Sequence, residues 1–330
     1  MAELQHDVIG VGNAIVDVLA HADEAFIAAN GLNKGTMTLI DAATADALYD
    51  RMGPAVEVSG GSAANTIAGL ASLGGRGAFV GKVRDDQFGA IFRHDIRSLG
   101  IAFDTAPARD GPATGRCLIF VTPDAHRTMQ TCLGISAELD PEDIDEAAVA
   151  AAGITYLEGY LWDRPRAKQA FVKAANTAHA AGRKVALSLS DPFCVDRHRA
   201  DFLDLVTEHV DVLFANEDEI VSLYQVHAFD EAIRHVRGHC EVAALTRSEK
   251  GAVVLSKEQL HVLEAEPADM VVDTTGAGDA YAAGFLYGLT FGRPLTDCGR
   301  LGAIAAAEVI SHVGARPEVS LAELVKLKRA

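Results

Sequence analysis

Short apolar runs alternate with longer amphipathic stretches through the second half of the chain, and this rhythm limits the fold more than any other feature. After Pro141 a helix is expected over 142–152 and a strand over 154–157. A helix over 166–181 and a strand over 184–189 follow, then a helix over 201–208 and a strand over 211–214. Alternation of this kind implies a parallel sheet with helices on both faces. Such sheets take their ligands at the carboxyl ends of the strands. Glu158, Ser190, Asp191 and Asn216 all fall at such ends. Tyr160 and Leu161 come just after the first of them and could line an apolar slot for a flat base, while Trp162 reads as core. The length of 330 residues suits one large α/β domain, alone or with a small appendage.

The first strand runs from Asp7 and ends in Gly10-Val11-Gly12-Asn13. A dinucleotide-binding turn would need a third glycine where Ile15 stands, and a helix after it. Ile15, Val16 and Val18 instead continue as a strand. Asn13 and Asp17 flank this strand end, and both can hydrogen-bond a polyol; turn chemistry uses the same residue types. Further on, Gly60-Gly61-Ser62-Ala63-Ala64-Asn65 opens an apolar helix to Leu73, for which a plain cap at Ser62 is the simpler account.

A second glycine turn is Asp273-Thr274-Thr275-Gly276-Ala277-Gly278-Asp279-Ala280. It joins an apolar run (Met270, Val271, Val272), read as a strand, to a small-residue helix over 280–289. The first N–H groups of a helix have no internal partner and carry the positive end of its dipole. Glycine lets the backbone turn tightly and lets a ligand approach, so the stretch is a ready anion site suited to phosphate. A carboxylate there must have a use that outweighs repulsion. Accepting a proton from an attacking hydroxyl is the simplest one. The helix terminus should keep Asp279 charged and a weak base, as phosphoryl transfer requires. A turn capped by Asp279 is the alternative.

D-T-T-G-A-G-D before a small-residue helix resembles the carboxy-terminal signature of the ribokinase-like (PfkB) carbohydrate and nucleoside kinases. Gly60 to Asn65 resembles the family's G-G-x-x-x-N, Gly81 to Gly89 its G-x-V-G-x-D-x-x-G, and Asn216 to Glu219 its N-x-x-E. Thr246 to Gly251 resembles T-x-G-x-x-G, with Ser248 in place of the first glycine. The resemblance implies a ribokinase-like α/β fold: a central, mostly parallel β-sheet with helices on both faces, plus a small β-sheet lid. It implies one kinase domain over residues 1–330, with the lid drawn from about 14–58 and 103–131. Asp279 would be the base, with the amides of Gly276, Ala277 and Gly278 as anion hole. Arg127, as in adenosine-kinase-like members, would reach the transferring phosphate; an exposed surface arginine is the other reading. Substrate contacts fall on Asn13, Asp17, Met37, Gly60, Gly61, Ser62, Asn65, Glu158, Tyr160 and Leu161. Nucleotide contacts fall on Asn216, Thr246, Arg247, Ser248, Gly251, Thr275 and Gly278. Asn216 and Glu219 would hold Mg²⁺ and its waters, although the pair also fits a helix cap. Asp273, Thr275, Val309, His312 and Gly314 would hold a monovalent cation such as K⁺, and a helix-ending turn explains the same residues.

The cofactors expected are therefore ATP and Mg²⁺. The acceptor expected is a primary hydroxyl of a purine nucleoside, adenosine first, then a free sugar such as ribose or fructose. A non-catalytic nucleotide sensor with the same fold is the reading from another class. The formal charge of −17 argues against nucleic acid and anionic membrane surfaces as partners. No stretch approaches the length of a spanning helix, and the first residues lack a signal-peptide pattern. Five scattered cysteines without C-x-x-C spacing read as reduced thiols, so a cytoplasmic location is expected. Pairing of lid strands between two copies, giving a homodimer, stays open.

Overall fold

Val8, Ile9 and Val11 are almost wholly shielded on both faces of strand β1 (His6–Val11), which therefore lies inside a sheet. Residues 3–124 and 126–329 are described by this computed structural model. From β1 the chain passes to β2 (Ile15–His21), α1 (Glu24–Ala29), β3 (Met37–Leu39), α2 (Ala42–Tyr49) and β4 (Ala55–Gly60). Next come α3 (Ser62–Ser72), β5 (Gly77–Val80), α4 (Gln87–Ser98), β6 (Gly115–Val121) and β7 (Arg127–Cys132). The βα half holds α5 (Glu146–Ala150), β8 (Ala152–Glu158), α6 (Pro165–Ala180), β9 (Lys184–Ser188), α7 (Pro192–Glu208) and β10 (Val212–Asn216). It continues with α8 (Glu217–Tyr224), α9 (Phe229–Val236), β11 (Val242–Thr246), β12 (Ala252–Ser256) and β13 (Leu260–Leu263). Helices α10 (Ala277–Thr290), α11 (Leu295–Val309) and α12 (Leu321–Arg329) end the chain.

The main sheet has eight strands in the order β13-β12-β11-β10-β9-β8-β1-β5. All pairs from β11 to β5 are parallel, and β12–β13 is an antiparallel hairpin added at one side. Val11 stands opposite Leu157 and Val80, and Asn216 opposite Thr246, so the strands end along one common edge. On one face of the sheet Trp162 is buried against Phe171 of α6 and Phe202 of α7. On the other, Phe79 of β5 is buried in one core with Ile67 of α3 and Phe285 of α10. A smaller sheet, β3-β7-β6-β2-β4, stands beside this frame. All five cysteines are free, and no described helix is long and apolar enough to cross a membrane.

Several expected elements differ. The helix over 142–152 shrinks to a 3₁₀ turn and α5, because Asp145 caps a new start and Ala152 already pairs with β1. The helix expected from 201 begins at Pro192, where Asp191 accepts from Phe193 N–H and Cys194 N–H and caps it. Met270 and Val271 are not a strand: both side chains are exposed, and among the described residues the segment's backbone bonds run from Val272 and Asp273 to Ile310 O. The stretch 103–114, expected in the lid, starts in the main body. Phe103 is fully buried against Phe79 and Phe92, and Ala102 bridges to Ala78. Asp86 caps α4 by accepting from Gly89 N–H, as its place after a strand suggests.

Candidate active site

Small residues bring the two glycine-led helices together. A methyl group on Gly69 of α3 would lie 2.8 Å from Ala283 Cβ of α10, so the helices touch where both are smallest. Their N-termini meet at the common edge of the main sheet. Each needs glycine in the residue before it. Gly276 has φ of 76°, and an added Cβ would lie 2.6 Å from Ala315 Cβ. Gly61 has φ of 104°, and its Cβ would lie 2.1 Å from Asn13 O. Both conformations are costly for any residue with a side chain.

This contact joins Ser62, Asn65 and Asp279. Ser62 Oγ donates to Asp279 Oδ1 at 2.6 Å, and Asn65 Nδ2 donates to Oδ2 at 3.3 Å. The dipole at the start of α10 was expected to hold Asp279 in its charged form. Burial outweighs it and pushes the carboxyl up to about 6, against the two hydrogen bonds. Among the described residues, neither Gly276 N–H nor Gly278 N–H has an acceptor, whereas Ala277 N–H turns back on Thr274 O at 3.2 Å. Two of the three amides are thus open to an anion. Beyond its own turn of helix, no described atom lies within 4 Å of where a Gly278 side chain would begin, which is the space a ligand needs. Gly276→Ala should therefore lose about 1–3 kcal/mol of stability, read by urea denaturation. Gly278→Ala should keep its stability and raise KM for ATP, since its methyl group enters the cleft.

Asp17 lies within β2, and its side chain points at Gly60 with no hydrogen-bond partner among the described residues. Burial raises its carboxyl to about 6, while Arg316 and Arg127 oppose the rise. Asn13 and Glu158 lie beneath the cleft instead of in it. Glu158 is 1 % exposed and accepts from Asn13 Nδ2 at 2.7 Å, Asn13 N–H at 3.3 Å and Ala63 N–H at 2.8 Å. Asn13 Oδ1 accepts from Ser136 Oγ at 2.9 Å. The two were expected to touch substrate; as placed, they brace β1, β8 and α3. Leu161 is likewise core, 2 % exposed, and lines no slot. Tyr160 is half-buried and donates its hydroxyl to Ser190 O at 3.0 Å. Met37 is exposed on edge strand β3.

Arg127, expected at the transferring phosphate, is buried and paired with Asp273. Asp273 also accepts from Thr275 N–H at 3.0 Å and Gly314 N–H at 3.1 Å. This carboxylate already has a cation beside it. His312 is drawn to Glu308 at 3.2 Å, and Val309 is wholly buried in α11. These contacts occupy the side chains and leave the backbone oxygens of Val309, His312 and Gly314 as the donors that a monovalent cation would need.

Asn216 and Glu219 form a reciprocal cap: Glu219 accepts from Asn216 N–H at 3.0 Å and Nδ2 at 2.7 Å, and Asn216 Oδ1 accepts from Glu219 N–H. Burial raises Glu219 to about 7, helped by Asp191, Asp218 and Asp279. No cluster of three or more metal-ligating side chains occurs among the described residues. Unbalanced negative charge with few free ligands fits Mg²⁺ that arrives on a nucleotide and keeps its waters. Thr246 ends β11. Ser248 adopts φ of 51°, so the backbone keeps a glycine-like turn despite the substitution. Gly251 turns back at φ of 82°. Arg247 is held by Glu217 at 3.1 Å and lies over the Phe229 ring at 4.3 Å. Sequence reasoning missed Arg316, whose Nε donates to Asn65 Oδ1 at 3.1 Å; a lone arginine in a closing turn gives no spacing to read. A surface hollow of about 690 Å³ near His179, His239 and Cys240 lies at the opposite end of the strands and holds none of these residues.

Residues 36–321 match the pfkB family carbohydrate kinase model. The fold superposes on a probable sugar kinase from Rhizobium etli CFN 42 with a TM-score of 0.91 and 50 % identity, covering 99 % of both chains. It superposes on an adenosine kinase from Sinorhizobium meliloti with a TM-score of 0.90 and 52 % identity, covering 98 % of this chain and 99 % of that one. The adenosine kinase of Saccharomyces cerevisiae is 28 % identical over 92 % of this chain and 94 % of its own.

Proposed function

The chain belongs to the pfkB family of carbohydrate kinases, and on that premise we propose that it transfers the γ-phosphate of ATP to the 5′-hydroxyl of adenosine. That it is an ATP-dependent kinase follows from the family; kinases of this family use ATP, generally with Mg²⁺. The observation that carries the nucleoside reading is the likeness to an adenosine kinase at 52 % identity across almost the whole chain. A sugar acceptor is the second reading, favoured by the equally close likeness to a probable sugar kinase.

In this mechanism Asp279, steadied by Ser62 and Asn65, takes the proton from the attacking hydroxyl. The open N–H groups of Gly276 and Gly278 receive the charge of the transferring group. Asp17, whose side chain has no hydrogen-bond partner among the described residues, binds the hydroxyls of the acceptor. Asn216 and Glu219 would hold Mg²⁺ and its waters, and the ion would neutralise charge on the phosphates. The smaller sheet covers the acceptor and keeps out water, which competes for the phosphoryl group.

ADP release from Mg·ATP with adenosine, guanosine, inosine, ribose and fructose tests the assignment. Strong turnover with adenosine alone is expected; strong turnover with a sugar instead would replace the acceptor and keep the kinase. A pH profile adds a second check. Asp279 acts as a base only when deprotonated, so kcat/KM should fall as pH drops through about 6. A flat profile down to pH 5 would remove Asp279 from that role.

A further inference from the structure

Arg316 belongs to the closing turn after α11, far in sequence from everything it touches. Its Nε donates to Asn65 Oδ1 at 3.1 Å, and its Nη1 donates to Asp95 Oδ2 at 3.1 Å. Asp95, on α4, also accepts from Ser59 N–H at 2.8 Å and Ser59 Oγ at 2.6 Å at the end of β4. A chain of hydrogen bonds thus runs from the smaller sheet through Asp95, Arg316 and Asn65 to Asp279.

The direction of that chain is fixed by chemistry. An arginine side chain only donates. The atom of Asn65 that faces it must therefore be the amide oxygen, which leaves the amide nitrogen to face Asp279. Without Arg316 the Asn65 amide could turn over and present its oxygen to a carboxylate, which repels it. Asp95 anchors the guanidinium from the far side, and a planar fork reaches both partners at once.

We propose that Arg316 is a positioning residue: it holds the Asn65 amide so that its nitrogen donates to Asp279, and thereby sets the orientation and proton affinity of the base. The proposal rests on Asp279 being that base. Ser62 and Asn65 from α3 and Asp95 from α4 bond to this pair, and Asp17 from β2, Tyr156 and Glu158 from β8, Tyr160 just after it and Glu219 on α8 act on it through charge. The Asn65 hydrogen bond favours the charged form of Asp279, so its loss moves the base toward higher pH.

The test is steady-state kinetics of the full chain over pH 5 to 8 for wild type, Arg316→Met, Asn65→Ala, the double variant and Asp279→Asn. Arg316→Met should lose about 10-fold or more in kcat with KM for ATP unchanged. Its acid limb should move up by about half a pH unit. In the Asn65→Ala background, Arg316→Met should add less than about twofold, because both act along one path. Additive losses, or an unmoved limb in Arg316→Met, would overturn the proposal. If Arg316→Met does not fold, Arg316→Lys is read instead. Lysine keeps the charge but cannot span Asp95 and Asn65, and a wild-type limb and rate there would also overturn it. Wild-type turnover in Asp279→Asn would end the base reading, and this proposal with it. Loss in Asp279→Asn beside an unmoved limb in Arg316→Met would end this proposal alone.

Discussion

Asp279→Asn is expected to cut kcat by about 10²–10⁴-fold while KM for ATP stays within a few-fold. The two side chains are the same shape, and the amide oxygen can still accept from Ser62 Oγ, the shorter of the two bonds. What disappears is the ability to take a proton. The wild-type carboxyl is raised above its ordinary 3.8 to about 6 by burial, so its charged form is the strained one. Stability from this group is full below about 4 and is lost as pH rises toward 6. The asparagine variant carries no such loss. It should therefore melt no lower than wild type at neutral pH, which separates lost chemistry from lost fold. Turnover at more than about a tenth of the wild-type rate would deny Asp279 its role as base.

Glu158→Leu should be the most damaging change to the fold, costing roughly 3–5 kcal/mol by urea denaturation. Two backbone N–H groups and the Asn13 side-chain amide would be left buried without an acceptor. Glu158→Gln keeps one acceptor and should cost less. It also exposes a pH dependence. Burial raises Glu158 from 4.5 to about 7, so its contribution is full below 4.5 and falls as pH climbs to 7. Glutamine does not ionise. Its variant should gain on wild type by up to about 3 kcal/mol between pH 4.5 and 7. A constant difference over that window would mean that Glu158 does not ionise within it.

The parallel sheet was legible because each βα unit must bury a whole strand under a helix, which writes a long apolar run and an amphipathic stretch into the sequence. The turns before α3 and α10 were legible because only glycine tolerates their backbone. Where the reading failed, polar residues had a second use that spacing does not reveal. Asn13 and Glu158 look like ligand residues at strand ends, yet they satisfy each other beneath the cleft. Ser62 and Asn65, read as substrate contacts, also reach Asp279, 217 and 214 positions away, which spacing could not show. Met270 and Val271 have the composition of a strand but no neighbouring strand to pair with, and composition alone does not supply one.

The order of strands in the main sheet has a consequence for biosynthesis. That sheet is complete once Leu263 has been made. The open amides, Asp279 and Arg316 all come later, on α10 and the final turn. A ribosome-bound chain with its whole central framework in place still lacks every one of these proposed phosphate-handling groups. The proposed site is assembled only when α10 docks on α3, an element made some two hundred residues earlier.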